Sequence, residues 1–351
     1  MIRPGARYEC HGDGTCCTTI HLLGPMTRAE AQKVRGAAAV VFPLRTEPAV
    51  KFHEGIKGLV FAPGGQKCLF LDDNARCRLH AQLGPGQKPA VCRHFPMGST
   101  ATDAGVRVTL SHRCPCVSIG ASPLLDEPRA RRVLAAPDSG RVLPANRAEG
   151  AVPWRGKRHV SLSDYAVWEK TALEALDRED GDPIESILMV SKADKLPKLK
   201  GTTWVEVAKR LAKYTRDEDQ DDGFFNTIRW VEQALRSGKT SHTPPRPWKW
   251  TFDRTAERVP HPVSVRKLYG SWIADDLWSM SWAVDSTLYR HLADAAARLV
   301  LARRIAARLE SVGARADLAA AEAVMIVDVL GASDPWIWVA RRLEEAPLAT
   351  F

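Results

Sequence analysis

All eight cysteines of this 351-residue chain fall between Cys10 and Cys116, and the last 235 residues hold none. No other feature constrains the fold as much. Their order is Cys10-x5-Cys16-Cys17, then Cys68-x8-Cys77-x14-Cys92, then Cys114-Pro-Cys116. Thiols crowded in this way serve disulfides, nucleophilic catalysis or metal binding. The opening MIRPGARYEC lacks the apolar stretch of an export signal. No uncharged apolar run approaches the ~18 residues of a membrane span. A cytoplasmic location without membrane insertion is therefore expected, and thiols stay reduced there, so metal or catalysis outranks disulfides. No cysteine has a triad-like setting, although His94 lies two residues from Cys92. Inert buried cysteines occur singly, which does not account for eight in one third of a chain.

Thiolates are soft ligands that suit zinc and iron–sulfur clusters and disfavour hard ions. Eight of them serve one four-ligand site with spares, or two sites. Adjacent Cys16 and Cys17 point their side chains apart. One binds while the other packs, or each faces a different metal. Gly12 and Gly14 let the backbone turn tightly and bring N–H groups to sulfur. No spacing reproduces the CxxC…CxxC of a zinc ribbon or finger. The irregular spacing favours an iron–sulfur cluster, [4Fe–4S], with zinc as the alternative. The candidate ligands are Cys10, Cys16, Cys17, Cys68, Cys77, Cys92, Cys114 and Cys116. His11, His80, His94 and His112 each flank a cysteine, and about one of these four is expected to touch metal. Arg93, directly after Cys92, is the polar residue best placed to serve a cofactor, as a donor to sulfur or a clamp on substrate. Asp72 and Asp73 are expected to shape a turn.

The net charge of +9 is uneven. Residues 1–120 carry 15 Lys and Arg against 8 Asp and Glu, whereas the remainder carries 35 against 33. The basic excess therefore travels with the cysteines. It offsets metal-bound thiolates better than it fits nucleic acid, because the region lacks the basic stripe with interleaved aromatics of single-strand binders.

The two halves also differ in pattern. Residues 1–125 are rich in Gly and Pro, with short apolar runs over Gly58–Ala62 and Val106–Leu110 that read as strands. Thr27 with Glu30 three residues later predicts a helix start. Residues 126–160 are polar, broken by Pro128, Pro137, Pro144 and Pro153, and read as a connector. From 161 to 351 the pattern is helical, starting at Ser163 or Asp164 and continuing near 183–194, 202–216 and 223–237. Leu288, Leu292, Ala296, Leu299, Ile305 and Leu309 mark a further helix, as do Val324–Leu330 and Trp336–Leu343. The acidic run over residues 217–222 reads as a solvated loop. In the Pro-rich stretch 241–250 two tryptophans anchor the segment onto the helices. Trp272, Trp278 and Trp282 read as core. The expected fold is α+β: a small loop-rich, metal-organised cysteine domain followed by a mostly α-helical domain.

The set ECHGDGTCC, KCLFLDDNARCRLH, KPAVCRHFPMG and LSHRCPC resembles the YkgJ-like cysteine-cluster family, described as a zinc- or iron-chelating domain. That family shows a cysteine before a CC pair, a C-x-F-L segment with an acidic or Gly-rich turn, a second cysteine, and C-R-x-F-P. Cys10, Cys16, Cys17, Cys68, Phe70, Leu71, Cys77, Cys92, Arg93, Phe95 and Pro96 match it. The resemblance spans about residues 8–117. The flagellin lysine-N-methylases carry a similar cysteine domain. Leu83-Gly84 and Leu110-Ser111-His112-Arg113-Cys114-Pro115 look like their elements, and a long helical region follows in both. This resemblance implies a cysteine-bound iron–sulfur cluster, S-adenosylmethionine as methyl donor and a protein lysine as substrate. The chain has no Gly-rich strand–loop–helix of a conventional methyl-donor site.

Overall fold

The structure, a computed structural model, describes all residues except 13, 19, 22–24, 54–56, 62, 65–66, 136–141, 143, 189–193, 220, 237–242 and 346–351. About 52% of the chain is helical and 13% extended, an α+β fold.

The cysteine-bearing part is assembled from short pieces. Thr27 accepts from the Glu30 backbone, and Glu30 accepts from the Thr27 backbone, so the Arg28–Val41 helix starts at a capping box as its sequence predicts. Val50–His53 pairs antiparallel with Gly58–Phe61, with Val50 opposite Phe61. The expected end of that strand, Ala62, lies outside the described residues. Pro63–Gly64 pairs with Lys67–Cys68. Met97–Thr102 pairs antiparallel with Gly105–Leu110 on one edge and parallel with Asn146–Arg147 on the other. Two small apolar cores result. One gathers Tyr8, Met97, Leu110 and Leu134 with Cys114 and Cys116. The other gathers Met26, Val34, Phe70 and Leu79, with Cys68 and Cys77 packed against it.

The helical part has one large core. Its axis is the Leu288–Ser311 helix packed on Ala316–Gly331, with Gly223–Leu235 and Val265–Ser279 against them. Leu162–Leu176 begins one or two residues before its expected start, because Ser161 caps it by accepting from the Asp164 backbone. Pro183–Leu188, Trp204–Tyr214 and Gly223–Leu235 occupy the other expected positions, and residues 189–193 of the first lie outside the described residues. Asp222 closes the acidic run by capping Gly223–Leu235. Trp248 anchors the Pro-rich stretch: it is fully buried and donates to Glu322 at 2.8 Å, while Trp250 is exposed. Residues 241–242 of that stretch are not among those described. Trp272 and Trp282 are core residues, as expected.

The segment 126–160, expected to connect, is itself folded. It holds the Glu127–Leu134 helix, the Asn146–Arg147 edge strand and the hairpin of Val152–Arg155 with Arg158–Val160. Pro128 sits in the first turn of that helix, where a missing N–H costs nothing. Val152 belongs to the large helical core.

Buried polar groups join the two parts. Arg107, on the Gly105–Leu110 strand, donates to Glu169 at 2.6 Å and lies 4.3 Å over the Trp278 ring. Trp278 donates to the Val108 carbonyl at 3.0 Å. Arg3 clasps Asp275 with two nitrogens, at 2.6 and 3.1 Å. Separating the parts would leave these charges buried without partners, a costly state. Among the described residues no helix is long and apolar enough to cross a membrane.

Candidate functional site

The opening loop positions three of the thiols. Gly12 and Gly14 have φ of +68° and +74°, a left-handed backbone that favours glycine. Gly14 starts the one-turn helix Thr15–Cys17, and its carbonyl accepts from the Cys17 N–H at 2.8 Å. A side chain at Gly14 would strike Leu71 at 2.9 Å, so the loop lies directly on the turn that follows Cys68. Thr18 bridges to Lys67, which brings Cys17 beside Cys68. Thr15 is buried and bonds to Thr251, fixing the loop to the helical part.

Cys68, Cys77 and Cys92 come from three consecutive elements. Cys68 ends the Lys67–Cys68 strand. Asp72 accepts from the backbone N–H of Asn74 and Arg76, which makes the expected turn, and Leu71 bridges back to Cys77. Cys77 caps the Arg78–Leu83 helix, its sulfur accepting from the His80 N–H at 3.4 Å. Cys92 lies on the Ala90–His94 helix, whose first N–H donates to Glu30 at 2.7 Å. Burial, reinforced by nearby Cys17 and Cys77, pushes the Cys68 thiol up to about 12. Burial also raises the Cys92 thiol. Lys88 opposes that shift, and Cys17, Cys68 and Cys77 add to it. Cys92 thus feels the charge of Cys17, Cys68 and Cys77.

Cys114 and Cys116 flank Pro115 at the start of the Pro115–Ser118 helix and are both buried. The Cys116 sulfur accepts from the His11 N–H at 3.4 Å, which ties it to the opening loop. Burial raises the Tyr8 phenol well above its ordinary value, and Cys114, Cys10, Cys116 and Cys16 all add to the shift. Cys16 is raised by its hydrogen bond with Cys17, then by burial, then by Cys17, Cys114 and Cys10. Cys16 thus feels Cys17, Cys114 and Cys10, and none of the eight cysteines is in a disulfide. Among the described residues, no three His, Cys, Asp or Glu side chains are arranged to hold a metal ion.

The neighbouring histidines act in ways that residue type alone did not predict. His11 and His80 reach sulfur through their backbone N–H groups. The His94 ring bonds to Arg93. His112 is buried, with Nε2 3.0 Å from Asp275 and Nδ1 without a protein partner. Arg93 donates to the Gly86 carbonyl at 3.0 Å, and its Nε is buried without a partner.

A cleft of about 480 Å³ lies between the two parts of the molecule, and none of the cysteines lines it. Phe95–Gly98, which follows the Cys92 helix, and Ser111–Arg113, which precedes Cys114, form one wall. The other wall comes from the helices and includes Trp272, Asp275, Asp276, Arg290, His291 and Arg298. Its acids are internally matched. Buried Arg298 donates to Asp294 at 2.8 Å, to Asp328 at 3.3 Å and to Asp276. Trp336 and Trp272 donate to Asp294 and Asp328, at 2.7 and 3.2 Å. Burial alone would raise Asp275 and Asp276. Arg3 and His112 in the first case, and Arg298 and His291 in the second, reverse the effect and hold both carboxyls below the ordinary range. The Arg290 Nε, by contrast, is buried in the cleft without a partner. Sequence reasoning passed over this network. Its visible signals were the Asp275-Asp276 pair inside an apolar helix and the i,i+4 spacing of Asp294 and Arg298.

Comparison with protein-family models, with curated proteins and with solved structures finds no match.

Proposed function

We propose that this chain is a cysteine-cluster metalloprotein that binds iron as an iron–sulfur cluster, and that the adjoining cleft receives its substrate. One observation carries the reading: four separate stretches of chain bring eight unbridged thiols into one part of the molecule, and the residues after Cys92 and before Cys114 wall the cleft. The donor set suits such a group. It is all sulfur, and backbone N–H groups of His11, Phe70 and His80 already point at Cys116, Cys68 and Cys77. N–H···S bonds of this kind stabilise thiolates and tune cluster potentials. The orphaned Arg93 Nε, beside Cys92, is a donor that an inorganic or cysteinyl sulfur would satisfy. Buried thiols that resist ionisation in each other's company lose that penalty when they bind a cation. In this reading the metal organises the loop-rich part, which has only two small cores of its own.

A bound [4Fe–4S] cluster supplies one-electron transfer and, at an iron with an open position, a place for a substrate atom. This chain's residues bind and orient. Phe95, Trp272 and Trp282 give the cleft apolar walls. Arg290 offers a charged donor to an anionic group of a ligand, and His112, held by Asp275, has an Nδ1 with no protein partner. Methyl transfer from S-adenosylmethionine to a protein lysine is the reaction we propose to test first, on the resemblance to flagellin lysine-N-methylases. The competing reading is a structural zinc protein. The burial of Cys114 and Cys116 in an apolar core favours it, because structural zinc sites are closed by protein ligands.

Anaerobic purification followed by iron, sulfide and zinc analysis and a visible spectrum separates these readings. The expected result is a brown protein with iron and sulfide in equal amounts. Colourless protein carrying stoichiometric zinc would overturn the iron–sulfur reading in favour of the structural one.

A further inference from the structure

We infer that the cleft binds a molecule with a single carboxylate, held by Arg290, whose apolar body lies against Phe95 and Ile337. The inference deepens the reading above by giving the chemistry of the ligand, and rests on it only in taking the cleft as the ligand site.

Arg290 stands in the first turn of the Leu288–Ser311 helix and lines the cleft. Among the described residues its guanidinium has no hydrogen bond or ion pair, and its Nε is buried. A buried donor left unpaired is costly, and an arginine fork matches a carboxylate with two parallel bonds. Ser286, just before the helix, puts a hydroxyl on the same lining, and the helix N-terminus favours negative charge. His112 gives an independent sign of a missing partner. It is only 4% exposed, it lines the opposite wall, and its Nδ1 has no protein partner.

The acids of the lining decide against a cation. Asp275 is held by Arg3 and His112, while Asp276, Asp294 and Asp328 surround Arg298. Of the five aspartates in the lining, Asp285 alone has no ion pair among the described residues, and it is exposed. Five arginines face these five aspartates when Arg3, which backs Asp275, is counted with Arg113, Arg290, Arg298 and Arg341. The surroundings are therefore formally neutral. One negative charge at Arg290 is accommodated, whereas a second would meet a wall of carboxylates. This favours a carboxylate over a phosphate, which carries ~2 negative charges at neutral pH. Phe95 is half-buried and Ile337 is exposed, so the rest of the ligand has apolar partners on both walls. A volume of about 480 Å³ is ordinary for a small-molecule pocket.

The test uses the full-length protein, as isolated and after reconstitution with iron and sulfide, and 3-phenylpropionate as the probe. Ligand-observed NMR and calorimetry compare it with neutral 3-phenylpropionamide, with 3-phenylpropylamine, and with phenylphosphonate at alkaline pH, where it is a dianion. 3-Phenylpropionate should bind in the millimolar range that its size permits, about tenfold tighter than each analogue. Arg290→Gln should abolish that preference, and Arg290→Lys should restore part of it. Arg132→Gln, at an exposed arginine outside the lining, should leave it unchanged. Equal affinity for the acid and the amide, or an unchanged preference in Arg290→Gln, overturns the inference. Tighter binding of the amine or the phosphonate overturns it in favour of a cationic or a dianionic ligand and leaves the cleft as the substrate site. No saturable binding of any probe to either form overturns the inference and the cleft's assignment together, with water as the partner of Arg290 and His112. Iron, sulfide and zinc are measured on the same samples, so failure of the metal reading is seen separately. If Arg290→Gln does not fold, the comparison of acid with amide on the wild type decides the question alone.

Discussion

The cysteine-bearing part and the helical part satisfy their buried polar groups in different ways. In the helical part, Arg298 is enclosed by Asp276, Asp294 and Asp328, and two tryptophan N–H groups complete the acids. Glu322 is likewise matched by Arg246 and Trp248. The protein supplies the partners of these groups itself. In the cysteine-bearing part, thiols are buried against one another, Cys68 and Cys92 are pushed up by that burial, and the Nε of Arg93 has no partner. Under the proposed reading, a bound metal group would balance these groups here. The difference teaches where stability should depend on a ligand and where it should not.

The largest expected effect tests the self-sufficient side. Arg298→Met would leave three half-buried carboxylates without their buried cation, and breaking a buried ion network by removing one partner costs up to about 3–5 kcal/mol. Denaturant unfolding should show that loss equally with metal bound and with metal stripped by chelation. A loss that disappears in the metal-free protein would show that the helical part is not independent of the thiols.

A pH series places the same residue type on both sides of the comparison. Burial, with Arg113 adding to it, lowers His21 to about 3. Burial also lowers His291, but Asp276, 3.7 Å away, works against the shift. Each folded value lies below the unfolded value of about 6.5. Stability is therefore complete above that pH and falls as acid protonates the unfolded chain first, by about 1.4 kcal/mol per pH unit for each fully suppressed histidine. His21 should contribute down to about pH 3, and His291 over a shorter window. Unfolding midpoints between pH 7 and pH 4.5 should flatten more in His21→Leu than in His291→Leu. The reverse order would mean that Asp276 does not offset the burial of His291.

How far the sequence anticipated these features depended on whether a signal was local. The Thr27–Glu30 cap, the strand before Leu110 and the helices through 162–235 were visible because capping and periodicity act within a few residues. The eight cysteines were equally visible as a set. Their placement was not, because Cys114 and Cys116 join one core while Cys68 and Cys77 pack against another. Arg93 was expected as a donor to sulfur or a clamp on substrate. Its bonds to Gly86 and His94 follow from a turn that no spacing rule describes. The cleft was invisible for the same reason: its walls are more than a hundred residues apart in the chain, and Asp275 finds Arg3 and His112 only through tertiary packing. The connector was misjudged in content because Pro128 starts a helix as readily as it breaks one.

Two glycines give a smaller and sharper contrast. Gly14 and Gly313 both have positive φ, +74° and +93°. A side chain at Gly313 meets nothing within 4 Å, so Gly313→Ala carries only backbone strain, roughly 1 kcal/mol. Gly14→Ala adds a clash with Leu71 and Ala75 and should cost about 1–3 kcal/mol. It should also lower metal content, because it moves the peptide that carries Cys16 and Cys17, whereas Gly313→Ala should leave metal content unchanged. Equal metal content in the two variants would contradict the role given to the opening loop.

The smallest effect comes from a motif that occurs once in each part. Thr203 and Glu206 form a capping box that touches only its own helix end and Thr202. Thr27 and Glu30 form the same box, but the second oxygen of Glu30 accepts the Ala90 N–H and so holds the start of the Cys92 helix. Burial would raise the Glu30 carboxyl, and the bonds from Ala90 and Thr27 bring it below its ordinary value instead. Its contribution is thus present above the unfolded value of about 4.3 and is lost as pH falls through the lowered folded value. Glu30→Ala should cost about 1–2 kcal/mol at pH 7, while Glu206→Ala should cost less. Amide exchange at Ala90–His94 should speed up in Glu30→Ala, and metal release with it. If exchange there is unchanged, the Cys92 helix is held by its own packing, and the cap is as local in this part as it is in the other.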